Sequence, residues 1–379
     1  LAFAATTIAP GETDENILLV MANAYGEFDA IDGNCISSPI GISMTSHIHN
    51  NTINMVRSDS GWVSNTVTPM LNHPALHTQT PCGPSCFAAM EPSFSHITVP
   101  MTFNQTNTPS GRQVWAGKVY VGADVTIDGI VLDISESDIV FAPCTRITLI
   151  NGARLEANNS TFRSCGDNDS WEGIFFTSTG TTHTSGAVDG CLFKNAVDAI
   201  RLESAPGNKT AAYDVRITDN SFVTCLHGIR MPGVARLNML EGITGNRFTV
   251  DNRPIVWGSK NPNGQCITSF SQEFEGISAV ATTFVGQVSQ NSFINTSDVA
   301  TTTLGGIIWN NCIGRISLNQ FTNNRHAVQM NRGTRAAIEN NAIEVTQRFA
   351  QFETQILLVG TTNSSVLGNH LINSNEAGT

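Results

Sequence analysis

The densest acidic cluster beyond residue 119 is Asp167-Asn-Asp169-Ser-Trp-Glu172. Carboxylates at Asp167, Asp169 and Glu172 are hard oxygen ligands, suited to Ca²⁺ or to one half of a carboxylate pair. Ca²⁺ needs six or more oxygens, and no bidentate Glu follows downstream. The competing reading is a solvated turn in which Asp and Asn cap backbone groups. His227 and Arg230 are a candidate acid–base pair. Residues three apart on a regular strand face opposite ways, so they meet only if an irregularity intervenes. His47 and His49, and His73 and His77, offer imidazoles to Zn²⁺ or Cu²⁺. Pro74 excludes the helix interior that a His-x₃-His ligand pair uses, and no Cys or carboxylate set adjoins, so loop histidines are the simpler reading.

Aromatic residues supply the other candidate chemistry. Trp115, Trp171, Trp257 and Trp309 together suggest a sugar-stacking platform. Trp257 and Trp309 each lie two residues past an isoleucine, Ile255 or Ile307, and are expected to stack on one sheet face. Tryptophans buried inward are the competing reading. Cys82-Gly-Pro-Ser-Cys86 has a Gly-Pro turn between its thiols and is a candidate small disulfide loop in an extracellular chain. The nine cysteines are an odd number, so internal pairing is incomplete. Cys144, Cys165, Cys191, Cys225, Cys266 and Cys312 sit in strand-like runs and read as small buried core residues.

The elements that must position these residues are visible as a repeat. A triplet recurs, its first residue small and polar and its third large and apolar. It appears as Ser160-Thr-Phe162, Cys191-Leu-Phe193, Asn220-Ser-Phe222 and Asn246-Arg-Phe248, then Asn291-Ser-Phe293, Asn319-Gln-Phe321, Asn341-Ala-Ile343 and Asn369-His-Leu371. The first residues are 31, 29, 26, 45, 28, 22 and 28 apart, the 45 marking an extra turn or an insertion. A second column, at Ile174, Ile200, Ile229, Ile255, Ile307, Val328 and Ile356, keeps phase with the first, usually behind a small residue. Two columns in phase with variable loops between them describe one strand–turn–strand unit stacked many times. Inward positions become apolar ladders. Asn at a corner is expected to take the left-handed backbone and to bond the Asn above and below. The period is too irregular for a leucine-rich repeat and too short for a propeller blade.

Composition agrees. Charged residues are 13% of the chain, against about a quarter in ordinary globular domains. Asn, Thr, Ser and Gly fill the difference, which suits strands and tight turns. The net charge of −11, with only four lysines, argues against a nucleic-acid partner. No apolar run is long enough for a membrane-spanning helix. The chain opens Leu-Ala-Phe-Ala-Ala, without Met or a basic leader segment, and reads as a mature chain or an excised segment.

The segment Ile147-Thr-Leu-Ile-Asn-Gly-Ala-Arg-Leu-Glu-Ala-Asn-Asn-Ser-Thr-Phe162, then Cys165, Ser170-Trp-Glu-Gly-Ile174 and Asp189-Gly-Cys-Leu-Phe-Lys-Asn-Ala-Val-Asp-Ala-Ile200, resembles the secreted right-handed β-helix (pectate-lyase-like repeat) surface proteins of Bacteroidota-type bacteria. The resemblance covers about two-thirds of the chain. It implies a stalk, adhesin or coat component without catalysis. Polygalacturonase-like motifs (Asn-Thr-Asp, Asp-Asp, Gly-His-Gly and Arg-Ile-Lys) are absent from the sequence.

The expectation is therefore an all-β chain. Residues 1–118 form an irregular N-terminal cap or small module, and residues 119–379 a right-handed parallel β-helix. Its expected role is a non-enzymatic extracellular or cell-surface protein that contacts copies of itself and, in a second reading, surface polysaccharide. A carbohydrate-active enzyme or binding module on the same scaffold is the alternative. No cofactor is expected, with Ca²⁺ at the acidic cluster as the alternative.

Overall fold

The computed structural model describes residues 41–46, 51–58, 61–64, 93–166, 169–178, 182–205, 207–233, 236–250, 256–260, 266–271, 273–297, 302–346 and 355–373. The chain divides into two compact units, Leu1–Phe87 and Ala88–Thr379. In the first, Gly41–Ser46, Asn51–Ser58 and Gly61–Ser64 form an antiparallel meander. No helix among the described residues is long and apolar enough to cross a membrane.

The second unit is a parallel β-helix. Among the described residues its pairing begins at Ser95–Ile97, which lies beside Val119–Val121, so the solenoid includes residues upstream of the boundary expected at residue 118. Each complete coil lays down three short strands, one per face. One face is a ten-stranded parallel sheet from Met101–Phe103 to Ile356–Val359. The expected isoleucine column runs through it in register: Ile147, Ile174, Ile200, Ile229, Ile277, Ile307, Val328, Ile356. Ile277 holds the rung that the repeat had assigned to Ile255, which lies outside the described residues. The displaced assignment has a physical cause. Between Val250 and Glu273 the solenoid is interrupted by an antiparallel hairpin, Val256–Lys260 with Cys266–Phe270, and this insertion accounts for the 45-residue spacing.

A second face carries the phenylalanines. Phe162, Phe193, Phe222, Phe248, Phe293 and Phe321 pair rung by rung. All six are buried, with ring centroids 4.7–5.1 Å apart and planes within 12° of parallel. Strand spacing of about 4.8 Å sets that distance, so identical residues at identical positions stack without adjustment. Ile343 and Leu371 continue the column.

Beside the rings runs a ladder of buried amides. Asn220, Asn246, Asn291, Asn319 and Asn341 each donate Nδ2–H to the Oδ1 of the next Asn, ending at Asn369, over 2.8–3.0 Å. The backbone N–H of each bonds the same Oδ1. The second Nδ2 hydrogen bonds a backbone carbonyl of the preceding coil. The side chains thus satisfy corner backbone groups that turn away from the sheets. The left-handed residue of the corner is not the ladder Asn, as expected, but the residue before it: Asn159, Gly190, Asp219, Gly245, Gln290, Leu318, Asn340 or Gly368. The preceding residue absorbs the bend, which leaves the ladder Asn free to aim its amide along the axis.

The two faces are coupled through small residues. Ala199, Gly228, Gly276, Gly306 and Ala327 precede the isoleucine column, and none of them is paired in the register. A Cβ on Gly276 would stand 2.4 Å from the Phe293 ring, and one on Gly228 2.5 Å from the Phe248 ring. The extra residue enters where the register shifts after Gly173, as Gly173 pairs with Asp198 but Ile174 with Ile200. Such a bulge re-aims the side chains around it.

Candidate functional site

The bulge assembles the most highly charged buried cluster among the described residues. At the start of three successive strands of the ten-stranded face, Asp198, His227 and Glu275 stand side by side in register. Three positions on, Arg201 pairs with Arg230. Because Ala199 and Gly228 are the extra residues, His227 and Arg230 reach the same carboxylate instead of opposite faces.

Asp198 is the centre. Its side chain is 2% exposed. His227 Nδ1 lies 2.8 Å from Oδ1, Arg201 Nη1 2.9 Å from Oδ2 and Arg230 Nη1 3.3 Å from Oδ1. Burial alone would push the Asp198 carboxyl up; the hydrogen bond from His227 and the charges of His227, Arg230 and Arg201 outweigh it and bring it down to about 2. His227 Nδ1 also faces the Val197 carbonyl at 3.3 Å. With two acceptors before it, Nδ1 carries a proton, and Nε2 points towards Glu275 Oε2 at 3.7 Å. Arg201 is shared with Glu203 at 2.7 Å. Its guanidinium lies 4.9 Å from the centre of the Phe175 ring, and that of Arg146 5.2 Å from the same ring. An imidazole oriented by a buried carboxylate is the arrangement of a general base. Here, however, both arginines are already bonded to carboxylates.

A second polar knot lies at the corner before the same face. Glu172 is 3% exposed. Its Oε2 accepts from Arg146 at 3.2 Å, and its Oε1 from the Lys260 backbone N–H. Lys260 Nζ in turn meets Asp124. Burial pushes the Glu172 carboxyl up, against the pull of the Lys260 N–H, Arg146 and Lys260 charges. Burial likewise raises Asp169. Of the acidic cluster, Asp167 lies outside the described residues. Glu172 is committed to Arg146 and the Lys260 N–H, and no group of three His, Cys, Asp or Glu able to hold a metal ion is found among the described residues.

The tryptophans do not form one platform. Trp309 is fully buried in the ten-stranded face and stacks on Phe284 at 4.6 Å. Trp257 is buried on the hairpin, edge-on to Phe274, with Nε1 donating to the Ser271 carbonyl at 2.8 Å. Trp171 stacks on Phe141 at 3.9 Å, and Trp115 is also buried. No ring face among these four is open to solvent. Cys82, Cys86, His47, His49, His73 and His77 lie outside the described residues.

The disulfide pairing was not anticipated. Cys144 and Cys266 form a disulfide across 122 residues, and Cys165 is also disulfide-bonded, so three of the six cysteines read as core residues are paired. Cys191, Cys225 and Cys312 are buried thiols pushed up by burial. A further feature is the last described coil. Leu358, Val366 and Leu371 continue the interior columns of Met330, Ile338 and Ile343. Leu371 is 60% exposed against 1% for Ile343, because no described coil stacks on it. Val359, Leu367 and Ile372 add exposed apolar surface to the same coil. No family model matches the chain, and neither a curated protein nor a solved structure matches it.

Proposed function

We propose that this is a non-enzymatic extracellular structural or adhesive protein, a subunit or segment of a cell-surface or filamentous assembly. The observation that carries the reading is the last described coil, where all three interior columns and three outward positions present apolar side chains. A strand edge of this kind is a template for another coil, and a contact between unlike ends propagates head to tail. The rest of the solenoid suits a load-bearing rod. Its amide ladder and ring stack run from coil to coil, and ion pairs such as Arg112–Asp133, Arg163–Asp138 and Arg315–Glu339 link neighbouring strands. The Cys144–Cys266 disulfide fits an oxidising, extracellular setting. Sedimentation of the native protein over a concentration series tests the reading. Association that is lost in a Leu367→Lys/Leu371→Lys variant is the expected result. A monomer at every concentration, or equal association by the variant, overturns it.

A second reading rests on Asp198, His227 and Glu275: a carbohydrate-active or carbohydrate-binding site on the outer side of the same sheet. It requires His227 Nε2 to reach a substrate past Glu275. Incubation with pectin, polygalacturonate, alginate and chondroitin, with and without Ca²⁺, separates the two. The scaffold reading expects no new reducing ends or unsaturated uronates. Product that disappears in His227→Gln establishes the enzyme instead.

A further inference from the structure

The hairpin Val256–Lys260/Cys266–Phe270 has no part in the coil-to-coil pairing; its strands pair only with each other. It folds back along the solenoid to residues from much earlier coils. Gly258 N–H donates to Ser170 Oγ at 2.7 Å, 88 residues away. Lys260 N–H donates to Glu172 Oε1, and Lys260 Nζ meets Asp124 Oδ1, 136 residues away. Cys266 is bonded to Cys144. Its other end is pinned by Trp257 against Phe274. The strap therefore crosses the corner where the ten-stranded face begins, over Cys144, Ser170 and Glu172, each at most 3% exposed. The approach is close: a Cβ on Gly258 would stand 2.6 Å from Cys144 Sγ.

The ties are unequal. The hydrogen bonds and the Lys260–Asp124 pair are few, and Lys260 and Asp124 are 21% and 29% exposed, so their net hold is small. The covalent tie is the strong one, and Cys266 lies at the surface, open to an attacking thiolate.

We propose that this hairpin is a redox-operated latch, closed by the Cys144–Cys266 disulfide and released by thiol–disulfide exchange with an external dithiol. A thiolate of the dithiol attacks Cys266 Sγ, forming a mixed disulfide and releasing Cys144 as a thiolate that takes a proton. The second thiol of the dithiol then displaces Cys266, which is also protonated. The dithiol is oxidised to its disulfide, and two electrons and two protons pass to the protein. Release uncovers Glu172, Ser170 and Asp124 at the edge of the Asp198–His227 face while the coils keep their own pairing.

Hydrogen–deuterium exchange on the full chain, oxidised and treated with dithiothreitol, tests the latch. Cys266→Ser serves as the variant that removes this disulfide and no other. The Gly258 and Lys260 amides are expected to exchange at least tenfold faster after reduction, and to the same extent in Cys266→Ser without reductant. Amides of Arg247–Val250 and Gly314–Ser317 should stay protected throughout. Three results overturn the proposal: unchanged protection at Gly258 and Lys260 in the variant, loss of protection along the whole solenoid together, or peptide mapping that finds Cys144 and Cys266 as free thiols in the native protein.

Discussion

Replacing Asn291 by Ala removes one rung of the amide ladder and leaves the Phe column intact. Asn291 is fully buried. Its Nδ2 donates to the Ile243 carbonyl at 2.9 Å and to Asn319 Oδ1 at 3.0 Å; its Oδ1 accepts from the backbone N–H and from Nδ2 of Asn246, both at 3.0 Å. Asn246 Nδ2 keeps the Ile217 and Thr244 carbonyls, and Asn319 Oδ1 keeps the Asn291 backbone N–H. The loss therefore falls on two backbone groups, the Ile243 carbonyl and the Asn246 N–H. At about 1–3 kcal/mol for each buried group deprived of a partner, the change costs about 2–6 kcal/mol. Asn291→Asp sharpens the test. It sets an oxygen in place of Nδ2, facing the Ile243 carbonyl and Asn319 Oδ1, so the ionised form is repelled and the folded-state carboxyl is raised above its unfolded value. Stability of that variant is then fully present below the unfolded carboxyl value of about 4 and is lost as pH rises through the folded value. Urea unfolding followed by fluorescence, with exchange of the Asn246 amide, reads both. A loss below about 1 kcal/mol for Asn291→Ala, or an Asn291→Asp variant no less stable at pH 7 than at pH 4.5, would refute the ladder's energetic role.

The other expectations follow from the same geometry. Phe222→Ala should cost about 3–5 kcal/mol by urea unfolding, as for a buried aromatic truncated in a packed core; a loss under about 1 kcal/mol contradicts the ring stack. Gly276→Val drives a side chain into the Phe293 ring and should cost about 1–3 kcal/mol, and a neutral result means the small-residue column is not what couples the two faces. The Asp198 carboxyl, lowered from 3.8 to about 2, should contribute about 2 kcal/mol that is present above pH 4 and disappears as pH falls towards 2. Asp198→Ala should cost about 2–4 kcal/mol at pH 7, since the Arg201 and Arg230 heads it strands are partly exposed, and it should flatten that acid limb; an unchanged limb assigns the acid sensitivity elsewhere.

The solenoid was legible because its physics repeats. A small polar residue followed two positions later by a large apolar one returns coil after coil, four times as Asn-x-Phe, so eight copies reveal a register that one copy would not. The corner was read one residue late, because the side chain that bonds the ladder and the residue that bends the backbone are neighbours and Asn suits either role. Ile277, and not Ile255, follows Ile229 in the isoleucine column, because the hairpin inserted between Val250 and Glu273 breaks the fixed spacing by which the column was read. The Asp198 cluster was legible only in part. His227 and Arg230 stood out, but Asp198 and Arg201 come from the coil before and Glu275 from the coil after, and their meeting depends on a bulge marked only by Ala199 and Gly228. The Cys144–Cys266 pair had no local signal, since its halves lie 122 residues apart, one in the solenoid and one in the insertion.

Electron microscopy of the native, oxidised protein tests the central claim most directly. The account predicts rods joined end to end, with Leu367→Lys/Leu371→Lys reducing them to single short rods. Single particles of one chain at high concentration, each with its last coil covered by its own residues, would contradict it.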